Sequence, residues 1–531
     1  LEYESKRRNR TVSKYQMSLD KSKLNKDTFC IAPWISTHFG VHKEVMPCCK
    51  YDYLNPLDIL TNTDDVNIIY NNNNTKKLRN DLFNGIKNKS CSMCWKEEEL
   101  SESESYRQFH NRVFKKSIYH ALENTNDDFS LKTIKLKRLD IRFDNKCNLK
   151  CRICSSDYST SWYSDEVKLG KKPKEKSDVY TQTISSKVFD FIIKQLPNID
   201  EIFFAGGEPL IQDGHYLILE NAIKLGLERK IRLTYNTNFS TLKYKNKNVI
   251  SIWKKFKQVN IGASLDDSGD KLEYQRKNII NDDVLKNIDK IKNIPNIDFS
   301  LIPTLSIFNV YSLPNYHKEW VISKKIKLEN IQINPLSHPT FYNIQNLPNH
   351  HKDRIKKIYN NHIKWIESIE SDNKSKDEFY KIINYIDDVE FNYEKIKAFL
   401  EINRNIDKIR NESFFDVYPE LSDLEYFIEN KILKDDLEKS YLENHKHKKT
   451  IDNIRQRWVD ERTGLNLTIK EKESFHNKKV LEIKDELDIL SKRIDAEENK
   501  EVILKHIESS KKFIENILKE LKNKENVKTL L

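Results

Sequence analysis

The chain has 531 residues, of which 37% are hydrophobic, and a formal net charge of +11; that length supports several domains with cores of their own. No run of about eighteen apolar residues is present, and the first stretch, LEYESKRRNRTVSKYQ, lacks the apolar segment of a signal peptide, so a cytoplasmic protein without a membrane span is expected. The basic residues are spread along the whole length instead of forming a stripe, which argues against nucleic acid as a partner.

Residues 1–27 are polar and charged and read as a flexible lead-in. From Phe29 to about Asn111 the segments are short and weakly periodic, and they carry Cys30, Cys48, Cys49, Cys91 and Cys94. Such a region has little core of its own, and a bound metal would organise it. In a large chain with no secretory signal, close cysteine pairs point to metal more than to disulfides.

Regular patterning starts near Leu136. Leu139, Ile141 and Phe143 alternate with Asp140, Arg142 and Asp144, which predicts a strand running into Cys147. Further strands are predicted at 202–205, 231–235, 259–265, 299–302 and 331–333. Between them, Val188 with Ile192 and Leu196, Leu219 with Ala222 and Ile223, and Val284 with Ile288 and Ile291 mark the buried faces of helices. Strand and helix in alternation imply a parallel sheet or barrel whose ligands lie at the C-terminal strand ends.

After Pro348 charged helices replace strands. Ile483, Leu487, Leu490 and Ile494, then Ile503, Ile507, Ile514, Ile517 and Leu521, recur at heptad-like spacing and predict a helical hairpin in a local bundle, with a dimer or partner-binding coiled coil as the alternative. His445 and His447, in a charged stretch, read as solvated surface.

The second cysteine group, Cys147-Asn-Leu-Lys-Cys151-Arg-Ile-Cys154, supplies three thiolates just past a strand. Three thiolates hold three irons of a [4Fe–4S] cluster and leave the fourth for a small chelating ligand. Structural zinc normally closes its shell with four protein ligands, and residues 144–157 contain neither a fourth Cys nor a His.

CxxxCxxC after the first barrel strand, followed by Ala205-Gly-Gly-Glu-Pro209 after the second, resembles the radical S-adenosylmethionine (SAM) superfamily. The glycines let a ligand amino group approach the backbone, and Glu208 adds an acceptor. Asn236 and Asn238 at the third strand end, Ser264 and Asp266 at the fourth, and Arg276 match family positions, so the resemblance implies SAM binding by Gly206, Gly207, Glu208, Pro209, Asn236, Asn238, Ser264, Asp266 and Arg276. The N-terminal group, Cys30-Ile-Ala-Pro-Trp34, Met46-Pro-Cys-Cys49 and Cys91-Ser-Met-Cys94 with Glu98 and Ser105-Tyr-Arg107, resembles the auxiliary-cluster module called SPASM or twitch, placed here before the barrel. Leu347-Pro348 with Lys352, and Phe415-Asp-Val-Tyr-Pro-Glu-Leu421, resemble the ends of twitch-domain proteins.

The resemblance implies a second [4Fe–4S] cluster on Cys30, Cys91, Cys94 and one of Cys48 and Cys49, with Cys48 the choice and zinc the competing occupant. Adjacent cysteines in a strand face opposite sides, so one of the two reaches a shared metal. The expected architecture is α/β: a twitch/SPASM-like cysteine-rich module over 28–130, a partial parallel (β/α)6 TIM-like barrel over 131–347, a closing helical segment over 348–430 and a charged helical extension over 431–531 that would make a protein contact. The implied activity is oxidoreductase chemistry: reductive cleavage of SAM to a 5′-deoxyadenosyl radical that abstracts hydrogen from a peptide or protein, with electrons from a donor such as flavodoxin or ferredoxin. The alternatives are dehydrogenation of a small molecule and a non-catalytic zinc- or iron-binding interaction protein. No residue stands out as the one that ends the radical reaction.

Overall fold

The computed structural model describes residues 21–60, 65–100, 104–173, 184–425 and Ile428. The chain divides into two compact units, residues 1–428 and 429–531. The heptad-spaced segment and His445 and His447 lie outside the described residues. None of the described helices is long and apolar enough to cross a membrane.

The strands, in chain order, are β1 (Ser36–Phe39), β2 (Glu44–Met46), β3 (Asp58–Ile59), β4 (Arg138–Ile141), β5 (Lys150–Cys151), β6 (Glu201–Phe204), β7 (Arg232–Thr237), β8 (Lys243–Tyr244), β9 (Lys247–Asn248), β10 (Gln258–Ala263), β11 (Arg276–Lys277), β12 (Ile297–Leu301), β13 (Thr304–Leu305) and β14 (Asn334–Pro335). Eight of them form one sheet in the order β12-β10-β7-β6-β4-β1-β2-β3. From β12 to β1 every neighbouring pair is parallel, and β1, β2 and β3 then pair antiparallel. The result is a mixed α/β fold around a large, mostly parallel sheet.

The period-two patterning places its residues as expected. Leu139, Ile141, Ile202, Phe204, Leu233, Tyr235, Val259 and Ile261 are buried in one core with Val188 and Ile192 of the helix Ser186–Gln195, Leu219 and Ala222 of Asp213–Lys224, and Val284 and Ile288 of Asn281–Ile291. The opposite face is polar. Register aligns Arg138, Glu201 and Arg232 across β4, β6 and β7, and Asp140, Phe203, Thr234 and Asn260 one layer further on. Arg138 Nε lies 3.4 Å and Arg232 Nη2 2.5 Å from the Glu201 carboxylate, so this wall carries charge that is paired within the sheet.

Two features depart from the expected pattern. The sixth strand is reduced to a single bridge from Leu301 to Ile331 and the short pair β13–β14. The cysteine-rich segment contributes β1 to the barrel sheet, with Ser36 to Phe39 opposite Arg138 to Ile141. All four β1 residues are buried, so its backbone groups gain partners where water cannot supply them. Beyond residue 348, the helices Asn349–Ile369, Ser375–Ile386 and Tyr393–Arg410 add Ile355, Ile363, Phe379, Ile382, Ile396 and Phe399 to the same core.

Candidate functional site

The loop after β4 is held by the loop after β6. The Glu208 amide donates to the Lys146 carbonyl at 2.7 Å and the Gly207 amide to Asp144 at 3.3 Å. Gly206 has φ +98°, and a Cβ there would lie 2.7 Å from the Arg142 Cβ; one on Gly207 would overlap the Lys146 carbonyl. Both glycines are therefore required by protein packed against protein, immediately before Cys147. The cysteine loop is pinned further on: Ser161 Oγ donates to the Cys147 carbonyl, Ser159 Oγ to Leu149, and Trp162 Nε1 to Cys151, at 2.7, 2.6 and 2.7 Å. β5 then pairs antiparallel with β11, which sets Cys151 opposite Arg276.

Cys147, Cys151 and Cys154 occupy one neighbourhood. Burial raises all three thiols, Cys147 to about 12 with help from Cys151 and Glu208, and Cys154 further with help from Cys151 and Cys147. Buried thiols of this kind become thiolates when a metal takes the proton's place. Two donors face the sulfurs: Arg276 Nη1 lies 3.6 Å from Cys151 Sγ and Asn238 Nδ2 4.0 Å from Cys147 Sγ.

Four of the anticipated ligand residues form a linked set. Arg276 is clamped by Asp266 through Nε to Oδ2 at 2.7 Å and Nη2 to Oδ1 at 3.0 Å, and Asp266 Oδ1 also accepts the Thr304 amide at 2.8 Å. Asp266 thus positions the arginine. Glu208 accepts from the Thr237 hydroxyl at 2.6 Å, the Asn238 amide at 2.8 Å and the Leu210 amide at 3.1 Å. Burial pushes its carboxyl up to about 7, against the lowering effect of those donors. Pro209 opens the 3-10 turn Pro209–Ile211. Asn236 is exposed on the polar face of β7, and Ser264 follows β10 with its amide on the Thr237 carbonyl at 2.8 Å; the hydrogen bonds of the linked set do not include them.

Sequence reasoning missed Arg152, between the second and third cysteines. Its side chain is wholly buried, 2.5 Å from Asp407 and 2.6 Å from Glu412, and lies 3.5 Å over the Tyr274 ring. Asn403 Oδ1 accepts from it at 3.1 Å. Nearby, Arg410 reaches Asp165 at 2.9 Å and Lys150 reaches the same carboxylate at 2.8 Å. The helix Tyr393–Arg410 is thereby bolted to the cysteine loop.

The N-terminal cysteines form a second centre. Cys30, Cys48, Cys91 and Cys94 line one cavity with Tyr51 and Trp95. Burial raises Cys30 to about 12 and Cys94 to about 11. β2 ends at Met46, so Cys48 and Cys49 lie in a bend and turn and not in the expected strand; after burial and Cys49, Cys48 feels Cys30, Cys91 and Cys94, whereas Cys49 feels Asp140, Arg142 and Arg138 of β4 and its flank and bonds Tyr106. Glu98 and Arg107 brace this centre through a bidentate pair at 2.8 and 2.7 Å, and Arg107 Nη1 donates to the Phe29 carbonyl at 2.8 Å.

Among the described residues, one trio of metal-ligating side chains has its ligand atoms within 4.8 Å of one another, His350, His351 and Asp423.

With this geometry in view, residues 141–305 match the family model of the Radical SAM superfamily. The matched segment holds the cysteine triad, Gly206 to Pro209, Asp266 and Arg276. No curated protein matches the chain. Solved structures of Streptococcus suis SuiB are similar at 15% identity. The SAM-bound form has a TM-score of 0.31 over 51% of this chain and 57% of that one. The form bound to precursor peptide SuiA has 0.29 over 58% and 64%, and a further SuiB structure has 0.30 over 65% and 70%. The chain thus spans less than two thirds of the length of the first two structures.

Proposed function

We propose that Cys147, Cys151 and Cys154 hold a [4Fe–4S] cluster whose fourth iron takes SAM, and that the chain is a radical SAM enzyme acting on a peptide or protein. When bound, this group supplies an electron that splits the sulfonium into methionine and a 5′-deoxyadenosyl radical, which takes hydrogen from an unactivated carbon. The observation that carries the reading is the linked set around the triad: three buried thiols faced by Arg276 and Asn238, with both donors fixed from behind. Asp266 holds Arg276, and Glu208 holds the backbone of Asn238. The glycines and Pro209 keep the cysteine loop against its neighbour. Asn236 and Ser264 lie on or beside the polar sheet face, where they offer hydrogen bonds to the nucleoside part of SAM.

Cys30, Cys48, Cys91 and Cys94 would hold a second [4Fe–4S] cluster. Cys48 shares the cavity while Cys49 turns toward β4. A small flavin or iron–sulfur protein would deliver electrons. Anaerobic reconstitution with iron and sulfide tests the reading: two clusters per chain and reductant-dependent 5′-deoxyadenosine from SAM are expected. Stoichiometric zinc without iron would sink it.

A further inference from the structure

The two late segments that resemble twitch-protein ends, around Leu347-Pro348 and Phe415 to Leu421, meet at a cluster that neither cysteine centre uses. His350 Nε2 lies 2.9 Å from Asp423 Oδ2, and His351 Nε2 lies 3.1 Å from Asp423 Oδ1. We propose that His350, His351 and Asp423 bind a single divalent transition-metal ion of the zinc class, joining the start of the helix Asn349–Ile369 to the segment after the 3-10 turn Pro419–Leu421.

Three observations support this. The ligand atoms already lie within 4.8 Å of one another, and two ligands at the tetrahedral angle on an ion with bonds of about 2.05 Å sit roughly 3.3 Å apart. His351 is buried, and its Nε2, although close to the carboxylate, has no acceptor in line with an N–H. A metal would use the lone pair of that nitrogen. On the other side of the ring, the Tyr311 hydroxyl lies 2.5 Å from Nδ1. With Nδ1–H donating to that oxygen, the tautomer leaves Nε2 free to ligate, since an outer hydrogen bond fixes the tautomer of a metal-bound histidine. Asp423 is 38% exposed and His350 27%.

This inference is independent of the radical SAM reading. The test adds Zn²⁺ to the anaerobically reconstituted full chain and counts zinc retained after gel filtration. Wild type is expected to keep one equivalent more than His351→Ala or Asp423→Asn, and its Tm alone is expected to rise with Zn²⁺. Should His351→Ala not fold, His350→Gln alters a partly exposed ring and is expected to lose the same equivalent. Equal zinc retention by wild type and the folded variants would overturn the proposal, as would a Co²⁺ spectrum from the variant-sensitive ion dominated by thiolate charge transfer.

Discussion

The two cysteine centres differ in what surrounds the sulfurs. The triad sits where strands end, faced by an arginine and an amide that reach it from other strands, and its loop is tied by backbone bonds to residues 206–208 and by Arg152 to a helix some 250 residues later. The N-terminal four sit in an apolar nest of Met46, Leu78, Leu82 and Trp95, and their brace, Glu98 with Arg107, lies close by in sequence. One centre presents directed polar groups to a ligand. The other is closed around itself.

The largest expected effect separates these roles. Cys147→Ala removes one of three ligands from the open centre, and 5′-deoxyadenosine formation is expected to fall below detection. Cys91→Ala is expected to lose the iron of the closed centre while the triad still cleaves SAM. Equal loss of cleavage in both variants, measured as 5′-deoxyadenosine per chain, would break the division. Within the closed centre, Cys48→Ser is expected to lose the N-terminal cluster and Cys49→Ser to keep it, as read by iron content and the EPR of the reduced protein. The reverse pattern would make Cys49 the ligand.

Much of the open centre was legible because its determinants are local. Period-two alternation into Cys147, and glycines at a strand end, are patterns of a few residues with physical reasons attached. Gly206 and Gly207 also serve loop-on-loop packing, and Asp266 and Arg276 are in addition partners of each other; neither contact could be read from the motif. β1 was illegible, since Ser-Thr-His-Phe has no alternation and all four residues are buried. The partners of Arg152 were illegible for another reason. Nothing near Cys151-Arg-Ile-Cys154 foretells carboxylates at 407 and 412, and only tertiary packing brings them together.

Arg152 therefore offers a sharper test of how the open centre is supported. Arg152→Met leaves Asp407 and Glu412 without their shared cation, although Lys277 still reaches Glu412 at 2.6 Å. Removing one partner of a buried ion pair costs about 3–5 kcal/mol. Urea unfolding is expected to show a loss in that range, with iron released from the triad at lower denaturant than from the N-terminal centre. Release of both together would mean that the two centres share one support.

The most gradual effect is a pH dependence of opposite sign in the two regions, spread over several pH units. His110, on the wall of the N-terminal cavity, is lowered to about 3 by burial and then by Arg138. Its folded value lies below the ordinary 6.5, so below that pH the unfolded chain binds more protons and stability falls as pH falls, by up to about 1.4 kcal/mol per unit. Glu208 is raised to about 7, chiefly by burial. Between 4.5 and 7 the folded chain holds the extra proton, so its contribution is lost as pH rises through that window. His110→Phe is expected to flatten the acid limb of the unfolding free energy below pH 6.5, and Glu208→Gln the decline between pH 4.5 and 7. If either variant instead shifts the whole curve without changing its slope, that group does not titrate where its surroundings place it, and the electrostatic contrast between the centres fails there.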